Sequence, residues 1–186
     1  MKIDHSTAVF VTRLLRHEPE LAGLHMDTHG WVSVQELIDG VNAADGHMLT
    51  AGMLEEIVRT DKKGRFRFDE AHERIRACQG HTIPWVVPEL TYPDPPERLW
   101  HGTTEEAWEL IQISGHISRM ERHAVHMQAE QGKAWQSAKR WRRPPVLLEI
   151  DAQAMHRDGI ALGMSDNGVW CAESVPVKYV VKVIRP

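Results

Sequence analysis

Lys63-Gly64-Arg65-Phe66-Arg67-Phe68 and, a few residues on, Ile75-Arg76-Ala77 decide how the N-terminal half of this chain reads. Lys63-Gly64 is a turn signal. The next four residues alternate with period two, so Arg65 and Arg67 share one face and Phe66 and Phe68 the other. Ile75-Arg76-Ala77 returns as the partner strand of a hairpin. Upstream, three stretches carry helical spacing. Ser6 is placed to cap a helix bearing Val9, Phe10, Leu14 and Leu15. Gly30-Trp31-Val32 is a short extended piece. Ser33 with Glu36 makes a capping box ahead of Val34, Leu37, Ile38 and Val41. Thr50 caps a third helix through Met53, Leu54, Ile57 and Val58. Three helices followed by a hairpin form a winged-helix pattern, a module that binds nucleic acid in some proteins and only protein in others.

Pro84, Pro88, Pro93, Pro95 and Pro96 are half of the chain's ten prolines. Proline fixes φ and lacks a backbone donor, so this stretch is neither helix nor central strand. It is expected to be a semi-rigid linker over 84–98 between an N-terminal lobe, 1–83, and a C-terminal lobe, 99–186. The second lobe mixes short elements. Leu99-Trp100-His101 is a strand end, and residues 104–114 are helical with Gly115 as the stop. Val125-His126-Met127 is extended, and 128–141 is helical. Val146–Ile150, Gly168–Cys171 and Tyr179–Ile184 are strands. No Gly-x-Gly-x-x-Gly or P-loop run appears, so the expected class is α+β rather than doubly wound.

With 186 residues, 42% of them hydrophobic, the chain is long enough to bury a substantial core. No apolar run reaches the roughly 18 residues a membrane span requires, and the N-terminus lacks a leader pattern, so a cytoplasmic protein is expected. Cys78 and Cys171 are the only cysteines, which excludes a disulfide scaffold and a four-cysteine zinc site. The net charge of −4 does not itself suggest a nucleic-acid binder. Its distribution does: residues 59–81 carry a net +3 and residues 116–143 a net +5, on an otherwise acidic chain. Two local basic segments suit recognition of an anion such as phosphate better than general coating of DNA.

Leu14-Leu15-Arg16-His17 ends the first helix, where cations are favourable and where an arginine stands beside a titratable histidine. Arg65 lies in the hairpin, and Gly80 in Gln79-Gly80-His81-Thr82 permits close backbone approach. His101-Gly102-Thr103 falls at a strand-to-helix junction, with Thr103 or Thr104 free to cap the helix. Arg122-His123-Ala124-Val125-His126 sets His126 in a strand. His123 and His126 lack a third or fourth ligand nearby, so zinc is not expected. Asn167-Gly168-Val169-Trp170 is a turn running into a strand.

In this order, these pieces resemble the RNA 2′-phosphotransferase family (KptA type). The matches are Leu14-Leu15-Arg16-His17, Gly30-Trp31-Val32, Gly64-Arg65-Phe66, Ile75-Arg76-Ala77-Cys78-Gln79-Gly80-His81, Trp100-His101-Gly102-Thr103, Arg122 with Val125-His126, Asp166-Asn167-Gly168-Val169-Trp170 and Val175-Pro176. They run from about residue 6 to residue 181. The resemblance implies a winged-helix lobe joined to an ADP-ribosyltransferase-like lobe that binds NAD, and a transferase that removes an internal RNA 2′-phosphate of the kind left by tRNA splicing. The 2′-phosphate attacks the nicotinamide ribose C1″ and expels nicotinamide. The ADP-ribose 2″-OH then attacks that phosphorus, releasing 2′-OH RNA and ADP-ribose 1″,2″-cyclic phosphate. By resemblance Arg16, His17, Arg65 and Arg122 are catalytic. His101, Gly102, Thr103, His126, Asn167, Gly168 and Trp170 hold NAD, and no metal or obligatory protein partner is implied.

The chain also departs from the family. Gln128 stands where serine is usual and alters one expected NAD hydrogen bond. Cys78 replaces a common asparagine and Thr82 a common serine. Arg140-Trp141-Arg142-Arg143-Pro144-Pro145 replaces a glycine-containing turn, with extra arginines that are either RNA-backbone contacts or surface charge. Two other readings compete: an ADP-ribosyltransferase on nucleic-acid phosphates that stops after the first step, and a non-catalytic winged-helix nucleic-acid-binding protein.

Overall fold

The apolar spacing of the first sixty residues becomes three helices in the computed structural model, which describes residues 4–186. The chain divides into two units, one ending at Glu89 and the other running from Leu90 to Pro186. Helix α1 (His5–Arg16) is capped by Asp4, whose carboxylate accepts from the Ser6 backbone N–H, and it buries Val11, Leu14 and Leu15. The cap thus lies two residues before the expected Ser6, because the acceptor must precede the turn whose amides it satisfies. Strand β1 (Val32–Ser33) leads into α2 (Val34–Ala43), where Ser33 accepts from the Glu36 N–H. The Glu36 carboxylate goes instead to His25 Nδ1, at 3.0 Å, so only half of the capping box forms. Thr50 caps α3 (Ala51–Thr60) as the sequence predicts.

Strands β2 (Phe66–Phe68) and β3 (Arg74–Ala77) make the hairpin, with Phe66 opposite Ala77 and Phe68 opposite Ile75. β1 adds to the other side of β3, giving an antiparallel order β1-β3-β2. Leu14, Leu15, Leu37, Leu54 and Ile75 are buried at the centre of this unit's core. Each such side chain contributes about 1.5–3 kcal/mol by leaving water.

The proline-rich stretch divides between the units. The Val87 N–H bonds Thr28 O at 2.8 Å and Glu89 pairs with Arg76, within the first unit. Thr91 bridges Met164, and Pro95 O accepts from Gln153 Nε2 at 2.6 Å, within the second.

The second unit runs β4 (Arg98–Thr104), α4 (Glu105–Ser114), β5 (His116–Ser118), β6 (Val125–Met127), α5 (Gln131–Ala138), β7 (Pro145–Asp151), α6 (Ala152–Arg157), β8 (Gly163–Met164), β9 (Trp170–Ala172), β10 (Ser174–Pro176) and β11 (Val180–Ile184). Its strands form small antiparallel sheets of order β11-β7-β4, β6-β9-β8 and β10-β5. The whole is a mixed α and β protein with no parallel strand pair among the described residues. Helix α5 starts at Gln131 rather than 128, because Gln128 is spent in a reciprocal 2.8 Å backbone pairing with Trp100 that joins β6 to β4. It closes in a 3-10 turn, Lys139–Trp141. β9 starts at Trp170 rather than Gly168, because Gly168, at φ +74°, makes the preceding turn. Leu99, Val125, Met127, Leu148, Ile150 and Trp170 lie in the core of this unit. Among the described residues no helix is long and apolar enough to cross a membrane.

Candidate active site

In the first unit the candidate residues gather where α1 ends. Arg16 is its last residue and His17 its C-cap. The Thr82 N–H donates to Arg16 O at 2.9 Å, and Thr82 Oγ1 lies 2.9 Å from His17 Nδ1. Thr82 thereby holds the loop after β3 against the helix end and orients the imidazole. Gly80, at φ +89°, is part of the same arrangement: a Cβ there would stand 3.3 Å from Arg16 Cζ. Close approach at Gly80 is therefore to the guanidinium of Arg16, not to bare solvent.

Arg65 reaches the same region from the start of the hairpin. Its Nη1 pairs with Asp61, and its backbone N–H donates to the other oxygen of that carboxylate at 2.5 Å. The Asp61 side chain is only 7% exposed, against 34% for Arg65. Arg65, Asp61 and His17 line one cavity of about 590 Å³ together with Arg13 and Thr12. The sequence analysis missed Asp61. Its signal is the Asp61-x-x-x-Arg65 spacing around a Lys-Gly turn, which lets one carboxylate bind both the backbone and the side chain of the arginine.

In the second unit three candidates form a chain of contacts. His101 Nδ1 lies 2.8 Å from the carbonyl oxygen of His126. A carbonyl only accepts, so Nδ1 carries the proton and Nε2 keeps its lone pair. Burial holds the His101 imidazole below its usual pKa; the carbonyl bond opposes this, and the charge of Arg122 adds to the lowering. Arg122 Nη1 in turn lies 3.3 Å from His126 Nδ1. A guanidinium only donates, so this ring nitrogen is the acceptor in that contact. Burial also depresses the proton affinity of Arg122, with a further push from the charge of Arg140.

Period two along β4 separates the roles of the His-Gly-Thr motif. Leu99, His101 and Thr103 share one face; Trp100 and Gly102 share the other, against α5. A Cβ on Gly102 would sit 2.2 Å from Ala134 O and 2.9 Å from Ala138 N. The glycine thus lets the helix backbone rest directly on the strand. Of the two threonines it is Thr104 that caps α4, accepting from the Ala107 N–H, which leaves the buried Thr103 without capping duty.

The last motif separates too. Asn167 and Gly168 occupy the β8–β9 turn, where the buried Ser165 donates from Oγ to Asn167 Oδ1 at 2.8 Å and the Gly168 N–H bonds Ser165 O. Trp170 lies in the apolar core, opposite Met127 in the ladder, while Cys171 stands opposite His126. The indole therefore faces the core and not the side of the sheet that His126 occupies. Cys171 is buried, with its thiol pushed up to about 12, and is unreactive on that account. His123 lines a separate cavity of about 730 Å³ with Arg119, Cys171 and Glu173. Among the described residues no group of three or more histidine, cysteine or acidic side chains is placed to hold a metal.

The chain is similar to known proteins. The sequence pattern of the RNA 2′-phosphotransferase, Tpt1 / KptA family matches residues 2–174. A probable RNA 2′-phosphotransferase of Pseudomonas syringae pv. tomato is 40% identical over 170 residues, covering 91% of this chain and 89% of its own. One from Burkholderia lata is 38% identical over 173 residues, covering 93% and 88%. Among solved structures, protein CC0527 from Caulobacter crescentus overlaps 47% of this chain and 84% of its own at a TM-score of 0.38 and 16% identity, too remote to bear on the fold.

Proposed function

The chain belongs to the RNA 2′-phosphotransferase, Tpt1 / KptA family, and from that premise we propose that it removes an internal RNA 2′-phosphate using NAD as co-substrate. The order of three helices and a hairpin supports a winged-helix reading of the first unit. The small antiparallel sheets that carry His101 and His126 support an ADP-ribosyltransferase-like reading of the second.

One observation carries the proposal: the contact chain Arg122–His126–His101. It sets a neutral imidazole, with an acceptor at Nε2, near a cation that pairs with no carboxylate among the described residues. Ribose hydroxyls need an acceptor, and phosphate oxygens need donors. This residue set suits NAD, whose glycosidic bond supplies an electrophilic C1″. His101 would accept a hydrogen bond from the ribose, the buried Thr103 would border it, and Asn167 with the Gly168 turn would frame the dinucleotide.

Arg16, His17 and Arg65 in the first unit carry donors suited to a phosphate, and Arg122 in the second, taken by itself, carries another. A phosphate is already anionic, so its attack on C1″ with departure of nicotinamide needs no general base. In the second step the 2″-oxygen attacks phosphorus and the RNA 2′-oxygen leaves. Guanidiniums offset the charge on the phosphoryl oxygens, and His17 is suited to protonate the leaving oxygen. The RNA regains its 2′-OH, and the phosphate departs as ADP-ribose 1″,2″-cyclic phosphate.

The test is to mix the protein with RNA bearing one internal 2′-phosphate, with and without NAD, and resolve the products. NAD-dependent 2′-OH RNA is expected. Persistent ADP-ribosylated RNA would replace the reading with a one-step transferase, and no change would remove both enzymatic readings for this substrate.

A further inference from the structure

Between α5 and β7 the chain reads Lys139-Arg140-Trp141-Arg142-Arg143 before two prolines. None of this segment is used by the chemistry above. Trp141 is 62% exposed, with its indole open to solvent. The basic residues around it differ in how they are spent. Arg143 is paired with Glu106, and Lys139 lies 5.8 Å over the ring of Trp135. Arg140 makes only a long 3.4 Å contact from Nε to Ser137 O. Neither Arg140 nor Arg142 pairs with a carboxylate among the described residues. Arg142 also holds φ at +50°, a left-handed conformation that a glycine adopts without strain. The chain keeps a long cation where its backbone favours glycine, next to an exposed indole. The segment belongs to the same unit as Arg122, where the charge of Arg140 is felt.

We propose that Arg140, Trp141 and Arg142 form a platform for the single-stranded RNA flanking the 2′-phosphorylated nucleotide, with the indole stacking on a base and the two guanidiniums meeting backbone phosphates. The inference rests on the phosphotransferase reading for the identity of the strand. Its physical basis is separate: stacking on an exposed aromatic with adjacent cations is how proteins hold single strands without sequence preference. A place in the same unit as Arg122 favours the flank of the reacting nucleotide over an unrelated strand. The platform predicts that affinity grows with strand length beyond the reacting nucleotide.

The experiment is fluorescence anisotropy without NAD, on two labelled probes: a single-stranded RNA decamer with a central 2′-phosphate, and a dinucleotide carrying the same group. Wild type should bind the decamer more tightly. Trp141→Ala should weaken the decamer about 5-fold or more and leave the dinucleotide unchanged, while Trp141→Phe retains binding. Arg142→Gly should lower the slope of log affinity against log salt on the decamer by about 0.7, the share of one phosphate contact on a single strand. The same variant relieves backbone strain, so its Tm should hold or rise, which separates lost RNA contact from damaged fold. The platform is overturned if wild type binds both probes equally, if the decamer is unaffected by Trp141→Ala, or if both probes weaken alike. Turnover of the dinucleotide with NAD judges the phosphotransferase reading on its own. Failure there with length-dependent binding intact would remove that reading and keep the platform.

Discussion

Arg65 and Arg122 are both catalytic candidates, yet the two units hold them by opposite means. Arg65 has a buried acid: Asp61 binds its guanidinium and its backbone N–H together. Arg122 meets an imidazole nitrogen of His126 in place of a carboxylate, and feels the like charge of Arg140. The first arrangement fixes a cation and cancels much of its charge. The second leaves the charge without a carboxylate among the described residues, in a partly desolvated place.

The sharpest way to break this contrast is to truncate each arginine and read activity and stability separately. Arg122→Ala should lower phosphate removal by about 10²–10³-fold, the range for losing one transition-state donor. Its Tm should hold or rise, because a desolvated cation without an acid is removed. Arg65→Ala should also slow removal, and it should cost about 1–3 kcal/mol of stability by stripping a buried carboxylate of a charged partner. In both variants the second step should suffer more than the first, so ADP-ribosylated RNA accumulates on product gels. Equal Tm losses in the two variants would erase the distinction, and unchanged turnover would remove both residues from the mechanism.

Gly102→Ala tests the scaffold beneath the second arrangement. The new methyl would stand 2.2 Å from Ala134 O, and helix backbone cannot yield as a side chain can. Overpacking of this kind costs about 1–3 kcal/mol. The strand must shift under His101 and Thr103, so the apparent KM for NAD should rise with the loss of Tm. An unaltered KM alongside a lowered Tm would confine Gly102 to packing.

The pH dependence separates the units in another way. The folded state holds His101 below the ordinary histidine pKa, so the unfolded chain binds its proton first as pH falls. Stability from this group is complete above about pH 6.5 and is lost below it, down to the depressed folded value, with a slope of at most about 1.4 kcal/mol per pH unit. His101→Gln should flatten denaturation midpoints across that window and weaken use of NAD. A wild-type midpoint flat from neutral to acid in that region would contradict a neutral, proton-resistant His101.

Much of this was legible in the sequence because the signals were local. Thr50, Ser33 and Gly115 mark helix ends through side chains or glycine at fixed offsets, and the Phe66/Phe68 alternation sets the hairpin register. The motifs also located residues that the structure joins, such as His101 with His126. The sequence did not show which way each residue faces. Trp170 and Gly102 sit within functional-looking motifs, but strand alternation turns one into the core and the other against α5. Asp61 was hidden because its carboxylate gains meaning only when a turn folds it back on Arg65. Strands as short as β8 and β10, formed by two and three residues, carry too few positions for a period to register.

The smallest expected effect concerns His17, whose orientation depends on a threonine as that of Arg122 depends on a histidine. Thr82 Oγ1 stands 2.9 Å from His17 Nδ1, in an exposed part of the surface. Thr82→Val removes this contact while keeping the backbone bond to Arg16 O. One exposed hydrogen bond is worth about 0.5–1.5 kcal/mol, so a loss of roughly 2- to 10-fold in phosphate removal is expected, with Tm nearly unchanged. Thr82→Ser should restore most of it, since the hydroxyl is what the ring meets. His126→Ala should cost more than Thr82→Val, because it releases a charged and partly buried guanidinium rather than an exposed ring. Equal losses would mean that orienting either group matters alike, and the contrast between a shared, fixed cation and a solitary, charged one would no longer explain the site.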